Sequence, residues 1–158
     1  MTQLSLADYR ALAEFRYQIR EFLHFSERAV QAAGIEKQQY QLMLAIKGMP
    51  VGMRPRIREL AHRMQIQHHS AVELINRLEA GGYVRRERAQ DDRREVLLAL
   101  TAKGERVLAE LASHHHEQLR TAGPRLSAAL RRVMTAKKRG GTESAPDGRK
   151  RLRERNPA

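Results

Sequence analysis

Five arginines crowd one short stretch of the chain: Arg85, Arg86, Arg88, Arg93 and Arg94 fall within ten residues, alongside Glu87, Asp91 and Asp92. A guanidinium stays charged at neutral pH and offers a planar fork of N–H donors, so such a cluster holds anions rather than moving protons. A second set, Gln67-His68-His69-Ser70 with Val72, Glu73 and Arg77, alternates with the apolar Ala71, Leu74, Ile75 and Leu78. Gln, His, Ser and Arg side chains pair with nucleic-acid base edges or phosphates. The run His114-His115-His116 invites metal ligation. Neighbouring helical residues point about 100° apart, and no Cys, Asp or Glu lies in matching register, so these histidines read as solvent-exposed or at a dimer edge. The same geometry sets His68 and His69 against a shared ion. With no Gly-rich phosphate loop and no nucleophile elbow, neither an enzyme, a cofactor nor a metal site is expected.

The composition agrees with anion binding. The 158 residues hold 30 Lys and Arg against 18 Asp and Glu, a formal charge of +12, which favours polyanionic partners. The absence of cysteine excludes disulfides, zinc fingers, thiol catalysis and cysteine-based oxidant sensing. The absence of tryptophan and the 4% aromatic content argue against base-stacking platforms for single strands. No apolar run is long enough to span a bilayer and no secretory leader is evident, so a cytoplasmic location is expected. Eight basic residues between Lys137 and Arg155, against Glu143, Asp147 and Glu154, come with glycine, proline and almost no apolar side chain. That stretch, 137–158, reads as a disordered basic tail that solubilises the chain or attracts DNA without sequence choice.

The elements that position these groups follow from hydrophobic period. Leu12, Phe15, Ile19, Phe22, Leu23 and Val30 trace one stripe of a long helix between residues 4 and 33. Ser5 with Asp8 supplies a capping pair, and Gly34 a left-handed stop. A second helix spans 37–47, with Tyr40, Met43, Leu44 and Ile46 inward, before Gly48, Pro50, Gly52 and Pro55 break it. A third runs from 56 to 64, with Pro55 suited to its first turn. A fourth runs from 68 to 80 and stops at Gly81-Gly82. The period then becomes alternating over 83–88 and 95–100, two strands bridged by a polar loop, with Val96, Leu98 and Leu100 on one face. Thr101 can cap a helix over 102–119, Gly123-Pro124 breaks it, and a last helix ends near Ala136.

Two short helices joined by a tight break and followed by a hairpin form the winged helix-turn-helix plan, in which the second helix presents its N-terminal residues to a DNA major groove. The stretch from Ile57 to Gly104 resembles the MarR family of bacterial transcriptional regulators. The resemblance rests on Leu60-Ala61-His62-Arg63-Met64, on Leu74-Ile75-Asn76-Arg77-Leu78-Glu79 with Gly82, and on Asp92-Arg93-Arg94 followed by Leu98-Ala99-Leu100-Thr101 and Gly104. The last of these carries the family's wing signature, Asp-x-Arg ahead of Leu-x-Leu-Thr. Gln67-His68-His69-Ser70 departs from the Ser- and Thr-rich start common in relatives, so no target sequence can be carried over.

The resemblance implies a mainly α fold with a small β-hairpin. Residues 4–136 would form the MarR-type domain, with the winged helix-turn-helix at about 37–101 and dimerisation helices at 4–33 and 102–136. It also implies a homodimer on a pseudo-palindromic operator, most often a repressor released by a small aromatic or lipophilic effector. Arg94 would enter the minor groove and Asp92 would help hold the wing. Gln67, His68, His69, Ser70, Val72, Glu73 and Arg77 would face the major groove, and Arg85, Arg86, Arg88 and Arg93 would meet phosphates. The alternative from another class is a basic winged-helix module that binds RNA or the ribosome without sequence preference.

Overall fold

The structure, a computed structural model, describes residues 4–136. Its elements are α1 (Leu6–Ala32), α2 (Lys37–Lys47), α3 (Ile57–Met64), α4 (His68–Ala80), β1 (Val84–Arg88), β2 (Val96–Leu100) and α5 (Ala102–Ala136). None of these helices is long and apolar enough to cross a membrane. The basic tail expected at 137–158 lies outside the described residues.

The two ends of α1 are set by local chemistry. Asp8 N donates to Ser5 Oγ at 3.3 Å while Ser5 N donates to Asp8 Oδ2 at 2.8 Å, a reciprocal capping box. Those bonds to Ser5 also pull the Asp8 carboxyl below its ordinary range. At the other end Gly34 adopts φ 71°, its N–H bonds Gln31 O at 2.9 Å, and Ile35 N reaches back to Val30 O at 3.1 Å. This is the Schellman pattern, with buried Val30 and Ile35 as its apolar contact.

The core lies in the lobe built from α2, α3, α4 and the hairpin. Leu42, Met43, Leu60, Leu74, Ile75, Leu78, Val84 and Leu98 are fully enclosed there, together with Val30 from the end of α1. The strands pair antiparallel, Val84 opposite Leu100 and Arg88 opposite Val96. Leu98 and Leu100 point inward as expected, whereas Val96 is exposed because the distal end of the hairpin projects past the core. In α2 the buried set is Tyr40, Leu42, Met43 and Ile46, and Leu44 is exposed instead of inward. This helix touches α1, α3, α4, α5 and β2, so it needs apolar residues on more than one face and a single-stripe reading misplaces one of them.

Two corrections concern proline. Pro55 lies outside α3, whose N-cap is Arg56. Its free carbonyl instead accepts Leu98 N at 2.9 Å, tying the α2–α3 loop to β2. Pro124 sits inside α5, which runs unbroken where two helices were expected. Proline removes one backbone donor and leaves the Arg120 carbonyl without its usual partner. The long contact with α1 carries the helix through: the Ser5 cap and the first turns of α1, to Glu14, share a surface with Arg132 and Thr135, and residues 17–28 face 118–126. α1 and α5 therefore form an antiparallel pair extending away from the core.

His115 also departs from expectation. His114 and His116 are exposed, but His115 is only 6% exposed, and its Nδ1 shares a 2.6 Å hydrogen bond with Tyr40 Oη. The two rings meet edge to face at 4.7 Å. The i, i+3 and i+4 stripe of Leu108, Leu111 and His115 places it on the core side of α5. Burial holds its pKa below the ordinary imidazole value, and Nε2 has no hydrogen-bond partner among the described residues. The sign of the linkage follows. Below the ordinary histidine pKa of about 6.5 the unfolded chain takes up a proton that the folded chain resists, so stability falls as pH drops through that range. Thermal unfolding at pH 7.5 and 5.5 checks this: wild type should lose more than His115→Asn, which keeps a polar atom near Tyr40 and cannot titrate. Equal losses would show that His115 titrates normally.

Candidate nucleic-acid interface

α3 ends at Gln65, a non-glycine residue at φ 54°, and the chain turns into α4 through Ile66 and Gln67. Ile66 N bonds Ala61 O at 3.1 Å, and Ala61 is buried where the two helices cross. On α4 the inward stripe is Ala71, Leu74, Ile75 and Leu78. The residues expected to read bases occupy the rest of the helix surface. Gln67 is the N-cap and makes no side-chain cap, so the first N–H groups of α4 have no side chain from the cap covering them. His68, His69 and Glu73 are exposed, and Ser70 and Val72 are half-buried. Arg77 lies nearer the C-terminal end and pairs with Glu36 at 3.3 Å. A helix N-terminus with free N–H groups and exposed donors suits an anion or a base edge.

The hairpin arginines divide into two groups. Arg85 donates to Leu100 O at 2.7 Å and to Glu87 at 2.6 Å. Arg86 bonds Asn76 Oδ1 at 2.9 Å and pairs with Glu79, which ties β1 to the C-terminal half of α4. These two therefore brace the hairpin. Arg88, Arg93 and Arg94 form no ion pair among the described residues, and all three are exposed. Arg88 Nη1 donates to Arg93 O at 2.8 Å, and Arg94 N to Asp92 Oδ1 at 2.9 Å, so Asp92 shapes the backbone at the tip and leaves the Arg94 guanidinium free.

Sequence reasoning missed the residues that anchor this tip. Arg54, in the loop before α3, donates to Asp91 Oδ1 at 2.8 Å and to Glu95 Oε2 at 2.5 Å. Arg56 pairs with the other oxygen of Glu95, whose side chain is only 12% exposed. The hydrogen bonds from Arg54 hold Asp91 down at about 2, and those from Arg56 and then Arg54 keep Glu95 below its ordinary range. The one signal available in the sequence was Arg54-Pro55-Arg56 itself, two bases around a residue that fixes the backbone.

Residues 33–95 match the family model described as MarR family. No curated protein matches the chain. Among solved structures, AbsC, a MarR family transcriptional regulator from Streptomyces coelicolor, aligns at TM-score 0.66 and 24% identity over 87% of this chain and 94% of its own. A mutant of MepR from S. aureus, bound to an oligodeoxyribonucleotide, aligns at TM-score 0.58 and 16% identity, covering 78% and 95%. A transcriptional regulator from Thermotoga maritima aligns at TM-score 0.53 and 23% identity, covering 78% and 91%. The fold is that of the MarR winged-helix regulators, and the resemblance read from the wing signature is borne out.

Proposed function

We propose that this chain, with the MarR family match at its centre, is a sequence-specific regulator of transcription that binds double-stranded DNA as a homodimer. The observation carrying this reading is the pairing of two exposed donor sets whose side chains make no ion pair among the described residues: the α4 N-terminus with Gln67, His68 and His69, and the wing tip with Arg93 and Arg94. The first suits a major groove and the second an adjacent minor groove or phosphate. Residues 4–136 act as one regulator domain, with the winged lobe at about 37–101. The dimer is supported by α1, which spans 27 residues and, among the described residues, buries only Val30. Leu6, Tyr9 and Leu12 on α1, and Leu119, Leu130 and Met134 on α5, stay exposed, and a second copy of the helix pair would cover them. Two copies would address half-sites about one helical turn, roughly 10 base pairs, apart.

The regulator is a repressor that answers to a small aromatic or lipophilic effector in the cytoplasm. A cavity of about 230 Å³ between α1 and α5 favours this, since Phe22, Phe25, Arg28, Gln118 and Arg125 line it and Gln118 Oε1 is buried without a partner among the described residues. Its lining comes from α1 and α5, with none from α2.

Selection from a random-sequence duplex pool tests the central reading. The full chain should enrich a two-fold symmetric motif, prefer it over random duplex and structured RNA at fixed salt, and run as a dimer in light scattering. Equal competition by RNA and random DNA would favour the sequence-indifferent module instead.

A further inference from the structure

The loop between α2 and α3 grips the wing at two levels. Pro55 O accepts the Leu98 N–H from the middle of β2, so the loop lies along the outer edge of the hairpin. From that position Arg54 reaches Asp91 at one side of the tip and Glu95 at the other, and Arg56 closes on the second oxygen of Glu95. The backbone of the tip is closed as well, Ala89 N to Glu95 O at 3.0 Å and Glu95 N to Asp92 O at 2.9 Å. α3 starts one residue after Arg56, so the grip joins the wing to the helix pair that carries α4. Isolated surface ion pairs contribute little, but a two-armed guanidinium serving two carboxylates, one of them mostly buried, restricts geometry as well as charge.

We propose that Arg54 and Arg56, with Asp91 and Glu95, are positioning residues that set where the Arg94 guanidinium stands relative to α4. They act on DNA through Arg94 and not by touching it. This rests on the DNA-binding reading above. A lysine cannot replace Arg54, because one ammonium lacks the fork that spans Asp91 and Glu95.

The charge of Asp91 separates this from simple electrostatics. Asp91→Asn removes a negative charge from a DNA-facing hairpin, and Coulomb attraction alone predicts tighter binding to any duplex. The clamp predicts the opposite for the duplex that the wild type selects: roughly tenfold weaker binding, the scale of one lost base or groove contact. Random duplex should change much less. Arg54→Lys, which keeps the charge, should show the same selective loss. In the Arg94→Ala background neither change should weaken binding further. Hydrogen exchange of the free protein should quicken at the Ala89, Arg94 and Glu95 amides in both variants, with the α4 amides unchanged as the control for folding. Binding equal to or tighter than wild type, an undiminished loss without Arg94, or unaltered exchange at the tip would each overturn the proposal. If the wild type selects no duplex, the DNA reading fails, and the exchange measurement still decides whether these residues hold the wing.

Discussion

Gly104→Ala should destabilise the protein by about 3 kcal/mol, the upper part of the range for forcing an atom into a filled site. The expectation runs against helix propensity, which favours alanine over glycine by roughly 1 kcal/mol inside a helix. Gly104 lies in the first turn of α5 and is buried against the strand entry. A Cβ built there would stand 2.0 Å from Tyr83 O, with Tyr83 C at 3.0 Å. Both are backbone atoms, so no rotamer change gives relief. The same carbonyl accepts Thr101 N at 3.0 Å, and Thr101 Oγ1 both donates to Gly82 O at 2.6 Å and accepts Gly104 N at 3.1 Å. Moving Tyr83 therefore disturbs the cap of α5 and the start of β1 together. Thermal unfolding at fixed protein concentration should show a midpoint lower by about 10 °C. An unchanged or higher midpoint would mean that the helix start can slide away from the strand, and that propensity decides at this position.

The features legible in the sequence are those fixed by neighbours along the chain. Ser5 and Asp8 lie three residues apart, Gly34 directly follows the end of a stripe, and Thr101 caps the helix that starts beside it, so each could be read from spacing. The hairpin was equally local, because the change from helical to alternating period needs only six residues on each side of a polar loop. Gln65 shows where this stops. It takes a left-handed conformation that sequence rules reserve for glycine or asparagine, and α3 and α4 packing around Ala61 imposes it. Pro124 is a similar override, with helix continuity imposed by α1.

The candidate interface was legible as a set of exposed donors but not as a set of restraints. Which arginines are free depends on partners far along the chain: Arg54 and Asp91 are 37 residues apart, and Arg85 and Leu100 are 15 apart. Counting bases on a hairpin treats Arg85, Arg86 and Arg94 alike. The fold assigns the first two to bracing and leaves the third without an ion pair among the described residues, because Arg85 and Arg86 on β1 reach Glu87 on the same strand and Asn76 and Glu79 on α4.

Arg94→Ala should then cost far more than its share of the positive charge. The side chain is exposed, it makes no ion pair among the described residues, and its backbone is held by Asp92 at 2.9 Å, so none of those contacts must break before it meets DNA. A guanidinium placed in a narrow minor groove meets the potential of both phosphate strands at once, which a phosphate contact on one strand does not. Titration of the selected duplex at fixed salt should show a loss of about 1–3 kcal/mol, with the largest part at A·T-rich flanks, where the groove is narrowest. Arg93→Ala removes the same formal charge from the neighbouring residue and should weaken selected and random duplexes alike, lowering the salt slope by about 1. The contrast between the two variants carries the argument. Equal and uniform losses would make both residues phosphate contacts and leave the wing without a reading role, whereas a flank preference that disappears only in Arg94→Ala places that single side chain in the groove.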